Sequence, residues 1–398
     1  MKNIVEVLDP KTCCGCGVCI NTCPTHALSF SQDDFGFVRP EIDETKCVEC
    51  GKCIRTCPQY NEVESSKPQK VYAGIYKDES ILKKSSSGAI FFALAECVVS
   101  EGGCVFGATL DDDFRVKHIG VEHIEDLHLL QKSKYVQSYM GNSYAMALQK
   151  LKDGKRVLFS GTPCQVAAMK ALANGKYGDK LVLVDVVCHG TPSPVFWSDY
   201  IANLSKKIGP LKEYIFCYKR KVKNGMNKYT SFTGQNNKKV IKNWPQDSYN
   251  CFFMEAKNYQ ECCYSCKYAK PERISDLTIC DFWHWESYHG NDFPQCSTLS
   301  GICVNTETGK KILDKAVDKL IVVESSFDNL AAHNGCLLHP TPKPLDHETF
   351  LQEWKARGYA FIEKKFEKQN RLRIIKNRLQ MYVPETFKLW IHRLRHGN

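Results

Sequence analysis

No apolar run in this chain is long enough to cross a bilayer. The longest, residues 89–99, already contains Glu96 and falls well short of the roughly 20 residues a spanning helix needs. The opening MKNIVEVLDP has neither a basic start nor an apolar stretch, so no secretory leader is expected. Without export, a set of structural disulfides is not expected either. Apolar residues at 43% and charged residues at 25% are ordinary for a folded protein, which leaves no room for a collagen-like or disordered reading. Nor does any recognised nucleic-acid-binding module accompany the formal charge of +10.

Cysteine, by contrast, is abundant. The 398 residues include 22 cysteines, nine of them before residue 58. In an unexported chain this usage points to metal ligation or redox chemistry. The first nine contain one internal repeat: Cys13-x2-Cys16-x2-Cys19-x3-Cys23-Pro24, then Cys47-x2-Cys50-x2-Cys53-x3-Cys57-Pro58. Both copies match the bacterial ferredoxin run, in which the fourth cysteine ligates the other cluster. The spacing therefore assigns one 4Fe-4S cluster to Cys13, Cys16, Cys19 and Cys57, and a second to Cys47, Cys50, Cys53 and Cys23. Gly15, Gly17 and Gly51 let backbone amides approach the sulfurs, which helps set the potential. Zinc sites pair CxxC units and do not use a third cysteine at this spacing. Cys14 is spare, and the adjacent pair leaves a one-residue shift of ligation open.

The remaining chain divides by composition. The expected units are a 2×4Fe-4S module over 1–62, a linker over 63–70, two α/β regions over 71–155 and 156–335, and a basic helical tail over 340–398. Strand-like VYAGIY, GCVFGATL, RVLFS and LVLVDVV alternate with helical patterns, the mark of an α/β domain with a largely parallel sheet. The overall class is α/β, α+β once the module is counted. Residues 205–250 are polar and resist assignment.

A third cysteine set falls at strand ends. In RVLFSGTPCQVAAMKAL, Thr162 can cap a helix, Pro163 suits its first position, and Cys164 falls in its first turn. A thiol there is expected to lean toward thiolate. Cys188 directly follows the next buried-type strand, and a right-handed crossover would bring both cysteines to one sheet edge, where open α/β sheets bind ligands. Cys263-x2-Cys266 adds a pair. The four thiols suit a third 4Fe-4S cluster, although buried cysteines at strand ends are common and a lone CxxC also suits zinc or a dithiol.

SSSGA (85–89), SKYVQS (133–138), SGTPCQ (160–165), VVCHGTPSP (186–194) and the CxxC followed by KYAKPERISDLTICDFW (267–283) occur in one order. Together they resemble the coenzyme F420 hydrogenase/dehydrogenase beta-subunit family, which includes formate dehydrogenase beta subunits and 7-hydroxymethyl chlorophyll a reductase. The resemblance spans roughly 70–330. It implies an α/β domain that holds FAD beside a 4Fe-4S cluster on Cys164, Cys188, Cys263 and Cys266, with Cys262 an adjacent decoy. It also implies flavin contacts at Ser86, Ser87, Gly88, Lys134, Tyr135, Gln137, Ser138, Thr162, Gln165, Asp276, Thr278 and Asp281. A Ser/Gly turn at a helix start could offer amides to a pyrophosphate. The chain departs from the family pattern twice: Ala89 and Cys280 stand where relatives usually carry glycine.

His189 is the weak catalytic candidate, a proton donor to reduced flavin, with a structural hydrogen-bonded role favoured. Trp283 and Trp285 either wall the pocket or pack in the core. Cys97, Cys104, Cys217, Cys251, Cys296, Cys303 and Cys336 lack ligand spacing and read as packed thiols. Residues 354–398 carry 12 Lys or Arg against three Glu. Phe387, Trp390, Ile391 and Leu394 there form one apolar helix face beside Lys388, Arg393 and Arg395, suited to an anionic membrane or an acidic partner; packing on the chain's own domain is slightly favoured.

The expected function is an iron–sulfur flavoprotein oxidoreductase of the cytoplasm, with peripheral contact at the inner membrane surface as a secondary location. It would pass electrons between ferredoxin-type clusters and FAD, to or from coenzyme F420 or another small organic substrate. The alternative is a non-catalytic subunit wiring a partner oxidoreductase to a ferredoxin pool. Expected partners are a ferredoxin or partner oxidoreductase subunit and a small-molecule substrate, with no nucleic acid.

Overall fold

A computed structural model describes residues 3–222, 225–294 and 298–382. Near the start, β1 (Leu28–Gln32) and β2 (Val38–Ile42) form an antiparallel pair, flanked by the short helices Val18–Thr22 and Lys52–Thr56. Each helix follows a left-handed glycine, Gly17 or Gly51, a conformation that glycine adopts without the Cβ clash of other residues. The same pattern at equivalent positions is the structural face of the sequence repeat.

The main body is an eight-stranded sheet. Its strands are β3 (Lys70–Tyr76), β4 (Cys104–Leu110), β5 (Val116–Val121), β6 (Val157–Gly161) and β7 (Leu181–Val186). After a separate antiparallel sheet of β8 (Leu211–Val222), β9 (Gly225–Gly234) and β10 (Lys239–Lys242) come β11 (Leu277–Asp281), β12 (Ser300–Val304) and β13 (Leu320–Ser325). The order across the main sheet is β13-β3-β12-β11-β7-β6-β4-β5. Only the central run β4-β6-β7-β11 is parallel; the flanks are antiparallel. The expectation of a largely parallel sheet is corrected to this mixed one. β4 and β5 are joined by a turn over 111–115, closed by the Asp111 amide on the Arg115 carbonyl, and so short a link forces its strands antiparallel.

The longest apolar run of the sequence forms the helix Ile90–Ser100, with Ala93, Leu94, Ala95 and Val98 fully buried on the sheet. Each large apolar side chain buried there contributes about 1.5–3 kcal/mol. Its one carboxylate, Glu96, accepts from the Tyr76 hydroxyl at 3.0 Å and pairs with Lys319 at 2.7 Å. The helices Ser143–Lys152 and Pro163–Ala173 supply the second core cluster.

Most of the unassigned stretch 205–250 is the three-stranded sheet, between the end of helix Pro194–Ile208 and the start of helix Ser248–Met254. The sheet's buried Tyr214 and Phe216 pack against Trp197 of helix Pro194–Ile208, Tyr214 also meets Tyr200, and Phe232 stacks behind Tyr214. The start of the basic tail is docked as well. Helices His347–Arg357 and Tyr359–Gln369 bury Phe350, Trp354, Tyr359 and Phe366 in the same aromatic cluster. The apolar face at Phe387, Trp390, Ile391 and Leu394 lies outside the described residues. Among the described residues no helix is long and apolar enough to cross a membrane.

The cysteine-rich module is clasped to the main body. Gln137 accepts from the Val38 amide at 2.8 Å and donates to the Cys14 carbonyl at 3.3 Å. Tyr268 donates to the Pro58 carbonyl, and Arg39 donates to Gln260. A methyl on Gly15 would meet Gln137 at 2.3 Å and the Val38 carbonyl at 2.4 Å, so the bare backbone is what allows this docking.

Candidate functional site

Three voids meet where the module touches the C-terminal ends of the parallel strands. The smallest, about 20 Å³, lies within the module and is lined by Cys13, Cys14, Cys16, Cys19 and Cys57. These include all four thiols that the spacing assigns to the first cluster. Burial pushes the Cys13 thiol up to about 11, and burial with its neighbours Cys13 and Cys57 pushes Cys19 well up. In the second set, Cys53 is buried and Cys23 half-buried, while Cys47 is half-buried and Cys50 exposed beside the exposed Val48. That end of the module faces solvent.

A second void of about 30 Å³ is lined by Cys164, Cys188, Cys263 and Cys266, and by Cys14, Cys262 and Cys336. The fold explains the convergence. β6 and β7 run parallel with Gly161 opposite Asp185, so the turns that follow them bring Cys164 and Cys188 to one edge. The CxxC arrives in a loop whose Gln260 amide bonds to the Thr191 carbonyl at 3.3 Å. Thr162 precedes helix Pro163–Ala173, and its amide donates to Gln165 Oε1 at 3.0 Å. The expected thiolate at this helix start is not found. The Cys14 hydrogen bond and burial push the Cys164 thiol well above its ordinary value, outweighing a terminal dipole worth about 1 kcal/mol. Burial, Cys263 and Cys266 do the same to Cys188.

Among the described residues, no three Cys, His, Asp or Glu groups could hold a single metal ion. A cubane makes a different demand, one thiolate on each of four irons around a void. Hydrogen bonding and burial raise Cys164, Cys188 and Cys266, whereas the Cys262 hydrogen bond lowers Cys263; such crowded thiols are a donor set whose remaining protons a cationic iron core would displace. On that chemistry both rings of cysteine fit iron–sulfur clusters. Cys336, read from sequence as a packed thiol, lines the second ring and lies 3.4 Å from Thr341 Oγ1.

The third void is the large one, about 350 Å³, within the range of cofactor sites. It shares Cys14, Cys164, Cys188 and His189 with the second. Ser86, Ser87, Lys134, Tyr135, Gln137, Ser138, Thr162, Gln165 and Asp281 all line it. Tyr135 stacks on Phe253 at 4.5 Å. Asp281 pairs with Lys228, which sits 4.6 Å from the Trp283 ring centre; Trp283 reaches the cavity, whereas Trp285 is buried in the core. The His189 ring lies 6.2 Å from Phe253 and its carbonyl accepts from Thr341. Burial lowers its pKa.

Three predicted contacts do other work. Asp276 accepts from the Leu183 amide at 2.7 Å and from Thr306 Oγ1 at 2.6 Å, tying β7 to the start of helix Glu307–Ala316. Thr278 is fully buried and accepts from Arg273 and Asn305. Neither lines the cavity. The Gly88 amide donates to Ser300 Oγ at 2.9 Å, so it is not free for a pyrophosphate. Ala89 takes the left-handed φ of +63° at the start of its helix, a position that favours glycine, and Cys280, which borders the cavity, directs its sulfur toward the Gly301 carbonyl.

His118 carried no sequence signal, yet it organises this wall. Its Nε2 lies 3.1 Å from the Ser160 carbonyl, which can only accept, so Nε2 carries the hydrogen and Nδ1 accepts from Ser138 Oγ at 2.8 Å. Ser138 is then free to accept from Gln165 Nε2 at 2.8 Å, which orients the Gln165 amide. Burial lowers the His118 pKa to about 4. The unfolded chain binds this proton from about pH 6.5 downward and the folded chain does not, so stability falls as pH drops from 6.5 toward 4, by about 3 kcal/mol. Denaturant titrations of wild type and His118→Gln should show that slope in the first and a flatter one in the second. Lys132 also lines the cavity without a sequence signal, and two residues behind it brace the serine turn. Lys219 donates to the Leu82 and Ser87 carbonyls, and Cys217 to that of Ser86, from the sheet that had no sequence assignment.

Residues 154–329 match the family described as the C terminus of the coenzyme F420 hydrogenase/dehydrogenase beta subunit. Residues 12–61 match a 4Fe-4S dicluster domain, and a second dicluster family matches 39–105, overlapping the first over 39–61. A chain in a solved structure of the F420-reducing NiFe hydrogenase complex from Methanosarcina barkeri is 18% identical, with a TM-score of 0.45. The match covers 75% of this chain and 92% of that one. No curated protein matches.

Proposed function

We propose that this chain, which joins a 4Fe-4S dicluster domain to the C-terminal domain of the coenzyme F420 hydrogenase/dehydrogenase beta-subunit family, is an iron–sulfur flavoprotein oxidoreductase. When bound, the clusters supply one-electron steps and FAD joins them to two-electron chemistry on coenzyme F420 or another small organic molecule. Cys47, Cys50, Cys53 and Cys23 would hold the outer cluster, where the exposed Cys50 is open to a ferredoxin or a partner oxidoreductase. Cys13, Cys16, Cys19 and Cys57 would hold the inner one. Cys164, Cys188, Cys263 and Cys266 would hold a third, beside the FAD cavity. The observation that carries this order is Cys14, which lines all three voids. The expected divisions at 1–62, 63–70, 71–155, 156–335 and 340–398 belong to the same reading.

Within the cavity, Tyr135 and Phe253 offer a stacked aromatic wall, and Ser86, Ser87 and Lys134 a polar end. Lys134 donates to the Gln131 carbonyl at 2.6 Å; burial, then Lys132, bring its amine down to about 7. An anionic phosphate group placed there binds the protonated amine better. FAD affinity should therefore weaken by up to roughly tenfold between pH 6 and pH 8, and Lys134→Gln should flatten that profile in fluorescence titrations.

The deciding experiment is iron, sulfide and flavin analysis of anaerobically purified protein. About twelve irons and about one FAD per chain support the reading. Tight iron without flavin favours the non-catalytic electron-transfer subunit instead, an outcome that Ala89 and Cys280 at the family's glycine positions keep in view.

A further inference from the structure

We propose that the buried Arg273–Asp185 ion pair sets the reduction potential of the iron–sulfur centre at Cys164, Cys188, Cys263 and Cys266. The inference rests on the third-centre reading above. Arg273 and Asp185 are 2% and 0% exposed and meet at 2.7 Å. Arg273 lines the small void together with the four thiols, whereas Asp185 does not. Of the pair, Arg273 is therefore the member that borders the void.

The pair is held in place from every side. Arg273 Nε donates to Thr278 Oγ1 at 3.2 Å, and Nη1 to the Tyr268 and Lys270 carbonyls. Asp185 accepts from Ser275 Oγ at 2.8 Å. The Arg273 amide and carbonyl both pair with Ser66, in the stretch that joins the cysteine-rich module to the main sheet. These contacts occupy the guanidinium with oxygen acceptors, so it acts on the centre through its field. It also stays charged at any working pH.

A buried ion pair is costly, and apolar side chains of similar volume commonly serve stability as well or better. Its place against a ring of thiols gives it a use. Reduction adds one electron, taken from a one-electron donor of the ferredoxin or dithionite class, and makes the centre more negative by one charge. A fixed cation across a low-dielectric gap favours that state, and net charge is one of the quantities that set cluster potentials. Asp185 tempers the effect. Arg273 is thus a positioning residue that acts through charge.

The test is a potentiometric titration of the anaerobic holoprotein followed by electron paramagnetic resonance. The third-centre signal is the one lost when Cys263 and Cys266 are both replaced by serine. Asp185→Asn leaves the cation uncompensated and should raise that potential. Arg273→Met should lower it, and Arg273→Lys, which keeps the charge, should stay near wild type. If Arg273→Met loses its iron, the other two variants decide. An unmoved potential in Asp185→Asn, or shifts of the same sign in Asp185→Asn and Arg273→Met, overturns the inference. A wild-type chain with iron for only two clusters overturns the third-centre reading itself, and this inference with it.

Discussion

Replacing Cys263 and Cys266 together with serine should lower the iron content from about twelve to about eight atoms per chain. Flavin should remain bound, because neither residue lines the large cavity. The two module clusters should still be reduced by a low-potential donor, but electrons should no longer reach the flavin, so its bleaching under anaerobic conditions should stop. The double replacement is needed because the second void holds spare thiols. Cys14, Cys262 and Cys336 line it with the proposed ligands, and any one of them could replace a single lost ligand. Iron analysis with stopped-flow absorbance reads both effects. Twelve irons in the double variant would refute the ligand set.

Gly88→Ala should destabilise the protein whether or not flavin is present. A methyl there would lie 2.3 Å from the Gly74 carbonyl oxygen and 2.8 Å from the Ser300 amide. Both are backbone atoms of adjacent strands in the sheet, so neither can swing aside. Overpacking of this kind costs about 1–3 kcal/mol, and the upper end is expected where backbone must move. Thermal unfolding of the flavin-free protein is the measurement. A loss that appears only in the loaded protein would return Gly88 to the role that the family resemblance assigns it, that of cradling the cofactor.

Local chemistry made much of this site legible. The two cysteine runs of the dicluster domain stand out by their fixed spacing, and SGTPCQ announces strand, turn and helix through Thr162 and Pro163. The strands over 103–110, 156–160 and 181–187 were placed within about a residue of β4, β6 and β7. His118 could not be found this way. Its role comes from Ser138 and Ser160, 20 and 42 residues away, and no pattern within one strand encodes them. The sheet of β8 to β10 was hidden for another reason: register shifts break the alternation of β8, and lysines and asparagines cover its polar positions.

The sequence by itself determined the repeated cysteine spacing of a 4Fe-4S dicluster domain and the edge at which Cys164 and Cys188 meet. Each depends on spacing within a segment or on a single crossover. Only the tertiary structure decided that Cys14 lies at the junction of three voids, that Asp276 and Thr278 brace the sheet and not the cavity, and that half of the basic tail is core helix. Those outcomes depend on which distant surfaces come into contact. The burial of apolar area that selects among such contacts acts between segments far apart in the chain, and no short-range pattern records it.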